Sequence, residues 1–265
     1  MLTIDPKNAY AHNNRGLVYA RLNKPNEALA EYNQALALEP KDAAAYYNRG
    51  LLYSKLNERD KALADFTQAI ALDPKDGDAH NNRGSVYLSL GETDKALTDF
   101  TQSLTLNPKN IAAYINRGLL YSGLKEWDKA LADFAQALAL DPKNIKAYLN
   151  RGGLYIELKE WDKALADVTQ AITIDPKNAE AYYNRGVLYD DLNETDKALA
   201  NYTQAIAFDP KNASAYFNRG NLYQKRGERD AAITDFQKAR DFFQEPQNVQ
   251  AAKDKLKGLG VDADG

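Results

Sequence analysis

Small and apolar side chains recur at three- and four-residue intervals along almost the entire chain, with polar side chains between them. One stripe in residues 43–76 consists of Ala45, Tyr46, Arg49, Gly50, Leu52, Tyr53 and Leu56. A second stripe in the same segment consists of Ala62, Leu63, Phe66, Ala69, Ile70 and Leu72. Because residues three and four apart share a face of an α-helix, each stripe predicts one helix. No strand pattern is present, so the chain is predicted to be all-α.

The boundaries of these two helices are also marked in the sequence. Asp42 precedes the first stripe, where a carboxylate can accept hydrogen bonds from free backbone N–H groups. Asn57 follows that stripe, at the position where a helix often closes with a left-handed residue, and most other repeats have asparagine or glycine there. Lys125 and Lys159 take this position in two repeats and are weaker signals. Pro74 ends the second helix.

A fixed period of 34 residues organises the chain. Prolines occur at this spacing at Pro6, Pro40, Pro74, Pro108, Pro142, Pro176 and Pro210. Such a period predicts an array of helix–turn–helix units. The seven predicted repeats are 9–42, 43–76, 77–110, 111–144, 145–178, 179–212 and 213–246. We expect residues 1–8 to be the end of a truncated preceding repeat, 247–259 to be a C-terminal capping helix, and 260–265 to be a tail.

Each unit carries the same small set of residue types at fixed places. In residues 43–76 they are Tyr46, Gly50, Tyr53, Ala62, Phe66 and Pro74. This pattern resembles the tetratricopeptide repeat, in a style similar to bacterial members of that family, and covers about nine-tenths of the chain. The resemblance implies a right-handed superhelical α-solenoid whose concave groove binds extended peptides or partner helices. Departures from the family pattern are an arginine before each glycine, Val168 for the second aromatic residue, and Gln244 for the last proline.

Glycine at the eighth place of every repeat predicts a close helix crossing, because glycine inside a helix otherwise costs about 0.5–1 kcal/mol relative to alanine. We expect the tyrosine three residues later, such as Tyr53 after Gly50, to fill the space beside it. The arginine before each glycine requires a partner if it is buried. Carboxylates stand at the twenty-third place of six repeats, namely Glu31, Asp65, Asp99, Asp133, Asp167 and Asp235. Structural arginine–carboxylate pairs across the two helices are therefore our hypothesis.

Composition limits the possible functions. The 265 residues carry a net charge of -3 and no cysteine, which excludes disulfides, thiolate zinc sites and cysteine nucleophiles. No block of lysine and arginine is present, so nucleic acid is not an expected partner. Neither a membrane-length apolar run nor a signal peptide is recognisable, so we expect no membrane insertion. A cytoplasmic location is favoured on this ground, although the N-terminus looks truncated.

No catalytic site and no cofactor are predicted. His12 and His80 occupy a place that is tyrosine in the other repeats, so packing explains both. Two histidines that lie two repeats apart are too few for a metal site. No phosphate-binding loop, hydrolase motif or kinase motif is present. The chain is therefore predicted not to be an enzyme.

The places that differ most between repeats are the second, fifth, ninth, twelfth and thirteenth, which share one face of the first helix. The resemblance assigns this face to the groove. Apolar candidates for peptide contact at the fifth place are Tyr47, Ile115, Leu149, Tyr183 and Phe217, and the ninth place adds Leu17, Leu51, Leu119 and Val187. The charged candidates are Arg21, Lys55, Glu157, Asp190 and Asp191. The basic residues lie in the first repeats and the acidic residues in the later ones, so a partner with the opposite arrangement of charges is favoured. The alternative is that these surface residues have simply drifted.

Asparagine holds the sixth place of every repeat, as Asn14, Asn48, Asn82, Asn116, Asn150, Asn184 and Asn218. An amide offers donors and an acceptor, so this ladder could hold an extended peptide backbone. Alternatively, each asparagine bonds the neighbouring repeat and fixes the superhelical twist; the sequence leaves both interpretations open. The fifth places contain no lysine, which the carboxylate clamp of chaperone-binding family members requires, so a chaperone C-terminus is not an expected ligand.

The sequence therefore predicts a protein–protein interaction scaffold that binds an unidentified protein or peptide in the groove. One alternative is a self-assembling scaffold, in which an uncapped N-terminal end with Leu2 and Ile4 stacks on a second copy. Another alternative is the substrate-recruiting repeat region of a larger protein.

Overall fold

A computed structural model describes residues 7–262, and within this range the chain folds into fifteen α-helices without a strand. The first eight helices are α1 (Ala9–Arg21), α2 (Pro25–Leu38), α3 (Ala43–Lys55), α4 (Arg59–Leu72), α5 (Gly77–Ser89), α6 (Thr93–Leu106), α7 (Ile111–Gly123) and α8 (Trp127–Leu140). The others are α9 (Ile145–Glu157), α10 (Trp161–Ile174), α11 (Ala179–Asp191), α12 (Thr195–Phe208), α13 (Ala213–Lys225), α14 (Arg229–Phe242) and α15 (Pro246–Gly258). Leu2 and Ile4, on which the expectation of N-terminal stacking depends, lie outside the described residues.

The chain divides into two compact units, Met1–Leu140 and Asp141–Gly265. In each unit, an odd-numbered helix and the helix that follows it form a hairpin, and the second helix of one hairpin packs against the first helix of the next. In the second unit, α15 packs against α14, where Leu256 is fully buried beside Phe236. Each unit is therefore an all-α helical repeat solenoid, in which a repeat contacts chiefly its neighbours.

The first helix of every hairpin begins with the same side-chain cap. The carboxylate or amide oxygen of the preceding residue accepts a hydrogen bond of 2.9–3.1 Å from the backbone N–H three residues later. The capping residues are Asn8, Asp42, Asp76, Asn110, Asn144, Asn178 and Asn212. Each cap satisfies a backbone donor that the helix leaves unpaired.

The turn between the two helices closes with a left-handed residue in all seven repeats. Asn23, Asn57, Asn193, Gly91 and Gly227 adopt positive φ angles, as their residue types favour. Lys125 and Lys159 adopt the same conformation, with φ of 60° and 57°. The rest of the hairpin therefore imposes this turn even where the local sequence does not favour it.

The closest approach within each hairpin lies between the glycine of the first helix and the large residue of the second. A Cβ atom built on Gly50 would lie 2.9 Å from Cε1 of Phe66, and one on Gly16 would lie 2.5 Å from Cε1 of Tyr32. Both rings are essentially inaccessible to solvent. Glycine is thus required by the helix crossing, because a methyl group there would overlap an aromatic ring.

The expectation that Tyr53 fills the space beside Gly50 is wrong. Phe66 occupies that space, while Tyr53 is only partly buried at the outer side of the crossing. The Cζ atom of Arg49 and the Nζ atom of Lys61 lie 5.9 and 5.3 Å from the centre of the Tyr53 ring. Tyr53 packs against the core that includes Ala62 and Phe66, and its ring also lies beside these charged groups.

Candidate functional site

The candidate site is the face of the first helices formed by the second, fifth, sixth, ninth, twelfth and thirteenth places of each repeat, which we call the groove face. Within the first unit, α1 contacts α3, α3 contacts α5, and α5 contacts α7; within the second, α9 contacts α11. These contacts bring equivalent side chains of consecutive repeats next to one another. The groove face is therefore a continuous surface within each unit.

Arginine–carboxylate pairs hold the two helices of a hairpin in register beneath this face. Nε and Nη2 of Arg49 donate to the two carboxylate oxygens of Asp65 over 2.7 and 2.8 Å. The hydrogen bonds to Asp65 raise the pKa of Arg49 despite the opposing effect of burial. Equivalent bidentate pairs are Arg83–Asp99, Arg117–Asp133, Arg151–Asp167 and Arg219–Asp235. The predicted pairing is thus present, and it is structural.

Two repeats depart from this arrangement. Arg15 pairs with Glu31 through Nη2 alone, at 2.6 Å, and Nδ1 of His12 lies 2.8 Å from the same carboxylate. Arg185 has no carboxylate opposite; its Nε donates to Oδ1 of Asn201 over 2.8 Å. Burial alone would raise the pKa of Glu31, but the hydrogen bonds from Arg15 and His12 bring it below its ordinary value.

Four asparagines of the sixth-place ladder donate a hydrogen bond to the preceding repeat. Nδ2 of Asn48 and Asn116 donates to Oδ1 of the preceding repeat's fifth residue, and Nδ2 of Asn82 and Asn218 donates to a tyrosine hydroxyl at the same place. The acceptors are Asn13, Asn81, Tyr47 and Tyr183, at distances of 2.9–3.3 Å. These bonds favour the interpretation that asparagine fixes the register of adjacent repeats. In each amide the carbonyl oxygen is still available as an acceptor.

The other three asparagines lack this bond. Asn14 and Asn184 make no side-chain hydrogen bond with the part of the chain that the structure describes, and Nδ2 of Asn150 is buried without a partner there. In the second unit, the residue that should accept from Asn184 is Leu149, whose side chain has no polar atom. The ladder is therefore uniform in sequence but divided in structure, because the fifth residue of the preceding repeat decides whether an acceptor exists.

The aliphatic side chains at the fifth place are too deeply buried to contact a ligand. Ile115 and Leu149 are each only 4% exposed. The expectation that these two side chains contact a bound peptide is therefore corrected: they belong to the core, and Leu149 packs against Ala171 and Ala181 there. The place faces the second helix of its own repeat and the following hairpin, so an aliphatic side chain is covered by them.

The three aromatic residues at the fifth place are half-buried. Tyr47 packs against Phe66 with ring centres 6.0 Å apart, and burial raises the pKa of Tyr47 to about 12. Tyr183 lies 6.0 Å from the Tyr202 ring, and burial raises its pKa as well. Phe217 lies 5.6 Å from Phe236 and 5.9 Å from Phe243. Only the outer edges of these rings face the groove side.

Aliphatic side chains one helical turn further on, at the ninth place, are more exposed than Ile115 and Leu149. Leu51 and Leu119 are 37% and 39% exposed, and Leu17 and Val187 are partly exposed. Leucines at the fourteenth place, Leu22, Leu56, Leu90 and Leu124, are as exposed or more so, but they lie outside the groove face. On the groove face, the accessible aliphatic side chains are therefore at the ninth place rather than at the fifth.

The charges of the groove face differ between the two units. In the first unit, Arg21 and Lys55 are exposed and have no acidic partner within residues 7–262. In the second unit, Glu157 and Asp191 are exposed, and Asp190 is partly neutralised by Lys225, whose Nζ lies 3.6 Å away. Each unit therefore offers a different charge to a ligand.

Two hollows open along the groove face. The first, of about 330 Å³, is lined by Leu17, Ala20, Arg21, Tyr32, Asn48, Leu51, Leu52 and Lys55. The second, of about 200 Å³, is lined by Tyr183, Ser214, Phe217, Asn218, Phe243, Asn248 and Ala251. Tyr32 and the residues from Phe243 onward were not predicted as site residues from the sequence. For Tyr32 a signal existed, because four other repeats have phenylalanine at that place.

Neither a metal site nor a membrane span is found among residues 7–262. No group of three or more histidine, aspartate or glutamate side chains in that range is arranged to hold a metal ion. No helix in the same range is long and apolar enough to cross a membrane. His12 and His80 are instead buried, each beside a carboxylate that an arginine also contacts.

Comparison with known families matches this repeat structure. The family profile described as tetratricopeptide repeat matches residues 43–76, 77–110, 111–144 and 213–244. A second profile, described as TPR repeat, matches residues 20–57, 152–192 and 189–227. Among curated protein sequences, none matches the chain significantly.

Solved structures give the same result. A tetratricopeptide repeat protein from Parabacteroides merdae is 25% identical over 95% of this chain and 98% of its own, with a TM-score of 0.76. YrrB, described as a TPR protein with an unusual peptide-binding site, is 27% identical over 69% of this chain and 95% of its own, with a TM-score of 0.54. PilF of Pseudomonas aeruginosa, at 20% identity and a TM-score of 0.67 over 76% of this chain and 92% of its own, shares the fold.

Proposed function

The chain belongs to the tetratricopeptide repeat family, and from this premise we propose that it is a protein-interaction scaffold that captures an extended peptide segment along the groove face. The observation that carries the proposal is the accessible aliphatic ninth place of repeats 1, 2, 4 and 6, three residues after the asparagine of the sixth place; these residues are Leu17, Leu51, Leu119 and Val187. A peptide in extended conformation needs both apolar contacts for its side chains and hydrogen bonds for its backbone. The peptide-binding site of YrrB, a similar structure, supports the same kind of ligand.

The asparagines contribute in two ways to this proposal. Asn48, Asn82, Asn116 and Asn218 hold adjacent repeats in register and present a carbonyl oxygen to a peptide N–H group. The amides of Asn14 and Asn184, which lack the bond to a preceding repeat, offer both donors and an acceptor, whereas Nδ2 of Asn150 is buried. The ring edges of Tyr47, Tyr183 and Phe217 provide further apolar contacts.

The protein acts by binding and not by catalysis in this proposal. The buried carboxylates within residues 7–262 are engaged by arginines inside the hairpins, away from the groove face. Of the two alternatives, recruitment of substrates for a larger protein uses the same surface, whereas self-assembly was predicted to use the N-terminal end with Leu2 and Ile4, which lies outside the described residues.

A matched pair of leucines tests the proposal. Peptides are selected from a random displayed library, and their affinity is measured by fluorescence anisotropy for the unchanged protein and two variants. Leu119→Asp, on the groove face, should weaken binding by about tenfold or more, because it places a charge among apolar contacts. Leu140→Asp changes a leucine of similar exposure, 37% against 39%, on a second helix, and should leave binding within about twofold.

Three results count against the proposal. These are a library that yields no peptide, an equal loss of affinity in both variants, and concentration-dependent association in sedimentation velocity that Leu119→Asp abolishes. The last result would identify a second copy as the partner.

A further inference from the structure

We propose that the hollow between the first two repeats is an anchor pocket for an acidic peptide segment, which inserts one apolar side chain and places the carboxylates of flanking aspartate or glutamate residues against Arg21 and Lys55. The anchor pocket is the hollow lined by Leu17, Ala20, Arg21, Tyr32, Asn48, Leu51, Leu52 and Lys55. This inference rests on the proposed peptide-binding function and specifies its ligand and its position.

The walls of the anchor pocket are apolar. Leu17 and Ala20 come from α1, and Leu51 and Leu52 come from α3, so the pocket forms only where two repeats are stacked. Its volume of about 330 Å³ is at the lower end of the range for ligand sites, which suits a single side chain rather than a whole small molecule. Leu51 remains 37% exposed at its mouth.

The inner end of the pocket carries a hydroxyl group that packing does not require. Tyr32 is only 1% exposed, and its hydroxyl makes no hydrogen bond with residues 7–262. Phe66, Phe100, Phe134 and Phe236 fill the equivalent place in other repeats. Burial raises the pKa of Tyr32 to about 12, so the hydroxyl remains a donor at neutral pH. This hydroxyl is not among the fully buried unpaired polar atoms of residues 7–262, so it keeps contact with solvent and can donate to a ligand carbonyl.

Asn48 supplies the complementary polar atom. Its Nδ2 donates to Asn13, which orients the amide and leaves Oδ1 without a partner in residues 7–262. The pocket thus offers one donor, from Tyr32, and one acceptor, from Asn48, beside an apolar cavity. This combination matches a peptide unit that presents a carbonyl, an N–H group and an apolar side chain.

The rim of the pocket is positively charged. Arg21 and Lys55 stand at the thirteenth places of successive repeats, and within residues 7–262 their one side-chain hydrogen bond runs from Nζ of Lys55 to Oδ1 of Asn23, over 3.3 Å. Other lysines in the array, such as Lys61 and Lys95, pair with a glutamate three residues earlier. Two cations without acidic partners favour carboxylates on both sides of the anchor. The groove face continues onto α5, so the bound segment need not end at the pocket.

The probe is a displayed library of twelve-residue peptides, from which individual sequences are then synthesised with amidated C-termini. The expected consensus is one large apolar residue flanked by aspartate or glutamate. Affinities are measured by anisotropy at two salt concentrations. Tyr32→Phe, which repeats a residue already used in four hairpins, should weaken these peptides by about threefold to tenfold. Leu51→Asp should weaken them by about tenfold or more, whereas Leu38→Asp, a leucine of equal exposure on α2, should not.

The charge on the rim is tested separately. Arg21→Ser combined with Lys55→Ser should weaken binding by about fivefold or more at low salt and reduce its salt dependence. The control, Lys75→Ser combined with Lys109→Ser, makes the same change in net charge in loops between repeats. It should leave the affinity and its salt dependence unchanged.

The following outcomes overturn the inference. The first two are a peptide consensus without acidic residues and a requirement for a free C-terminal carboxylate. The third is an affinity that neither Tyr32→Phe nor the double serine variant changes. The fourth is self-association of the protein that Leu51→Asp abolishes. If selected peptides lose affinity with Leu119→Asp but not with Leu51→Asp, the groove function remains and the anchor pocket is rejected. If no peptide is selected, both proposals are rejected.

Discussion

Repeats 1 and 2 and repeats 6 and 7 share one hairpin core but differ in what they present on the groove face. In both regions a glycine meets a buried tyrosine, at Gly16 and Tyr32 and again at Gly186 and Tyr202. The first region has an open apolar hollow with two cations that lack acidic partners. In the second region Phe217 packs against Phe243, just before α15, and an ion pair joins Asp190 to a lysine.

This comparison shows that the residues of the hairpin core and those of the groove face vary independently. Residues that set the helix crossing are the same in both regions, so changes on the face do not disturb the hairpin. A region whose groove residues contact the segment leading into α15 has less surface left for a partner. The first region is therefore the better candidate for ligand binding, and four measurements test the assumptions behind that comparison.

The largest expected effect concerns the two hairpins of the second region, of which one has a buried ion pair and the other has none. Arg219→Leu leaves Asp235, only 3% exposed, without its cation, and we expect a loss of ~3–5 kcal/mol in the free energy of unfolding. Arg185→Leu removes a hydrogen bond to the neutral Asn201 and should cost only ~1 kcal/mol. Urea titrations followed by circular dichroism give both values. Equal losses would show that the two hairpins do not differ in this way.

The second measurement tests whether the two tyrosine-filled crossings are equivalent. Gly16→Ala and Gly186→Ala each place a Cβ within 2.6 Å of a tyrosine ring, so both should destabilise the fold by ~1–3 kcal/mol. Gly153→Ala is the control, because nothing lies within 4 Å of its Cβ position, and it should stabilise the helix by ~0.5–1 kcal/mol. Thermal unfolding of the three variants decides the matter; destabilisation by the control would contradict the packing analysis.

The asparagine ladder provides the third measurement. Asn48→Ala and Asn218→Ala remove bonds to Asn13 and Tyr183, and each should cost ~1 kcal/mol. Asn184→Ala removes no side-chain bond described in the structure and should change stability by less than ~0.5 kcal/mol. Hydrogen exchange of the flanking helices reports the same difference locally. If all three variants behave alike, the ladder has a single role after all.

The smallest effect is a pH dependence that Glu31 contributes in the first region. Because the folded-state pKa of Glu31 is below its ordinary value, its ionised form contributes stability above the ordinary carboxylate pKa near ~4.3. That contribution is lost as pH falls through the lower folded-state pKa. Glu31→Gln should therefore reduce the drop in melting temperature between neutral and acidic pH. Asn201→Gln, at the equivalent and uncharged place, should leave the drop unchanged, and a reduction there would contradict this assignment.

Most of the fold could be predicted from the sequence. The seven hairpins, their caps and the arginine–carboxylate pairs follow from local periodicity and from residue types that recur at fixed spacing. The residue that packs on Gly50 was predicted to be Tyr53 but is Phe66, because the crossing point depends on how the second helix is rotated about its axis. The spacing of residues within one helix does not specify that rotation.

The candidate site was predicted in part. Arg21 and Lys55 were selected from the unevenness of charge, and both lie at the rim of the anchor pocket. Ile115 and Leu149 were also selected but are core residues, while Tyr32 was missed. A variable position can face either a partner or the neighbouring repeat, and variability alone does not distinguish them.

The sequence by itself determined the helical hairpins, their number and the repeat family, because each depends on short-range periodicity that every unit repeats. Only the tertiary structure decided which asparagines have an acceptor and which leucines remain exposed. It also decided where a hollow opens beside uncompensated charge. These properties depend on the side chain that the preceding repeat happens to present, and that pairing across about 35 residues arises only when the hairpins stack.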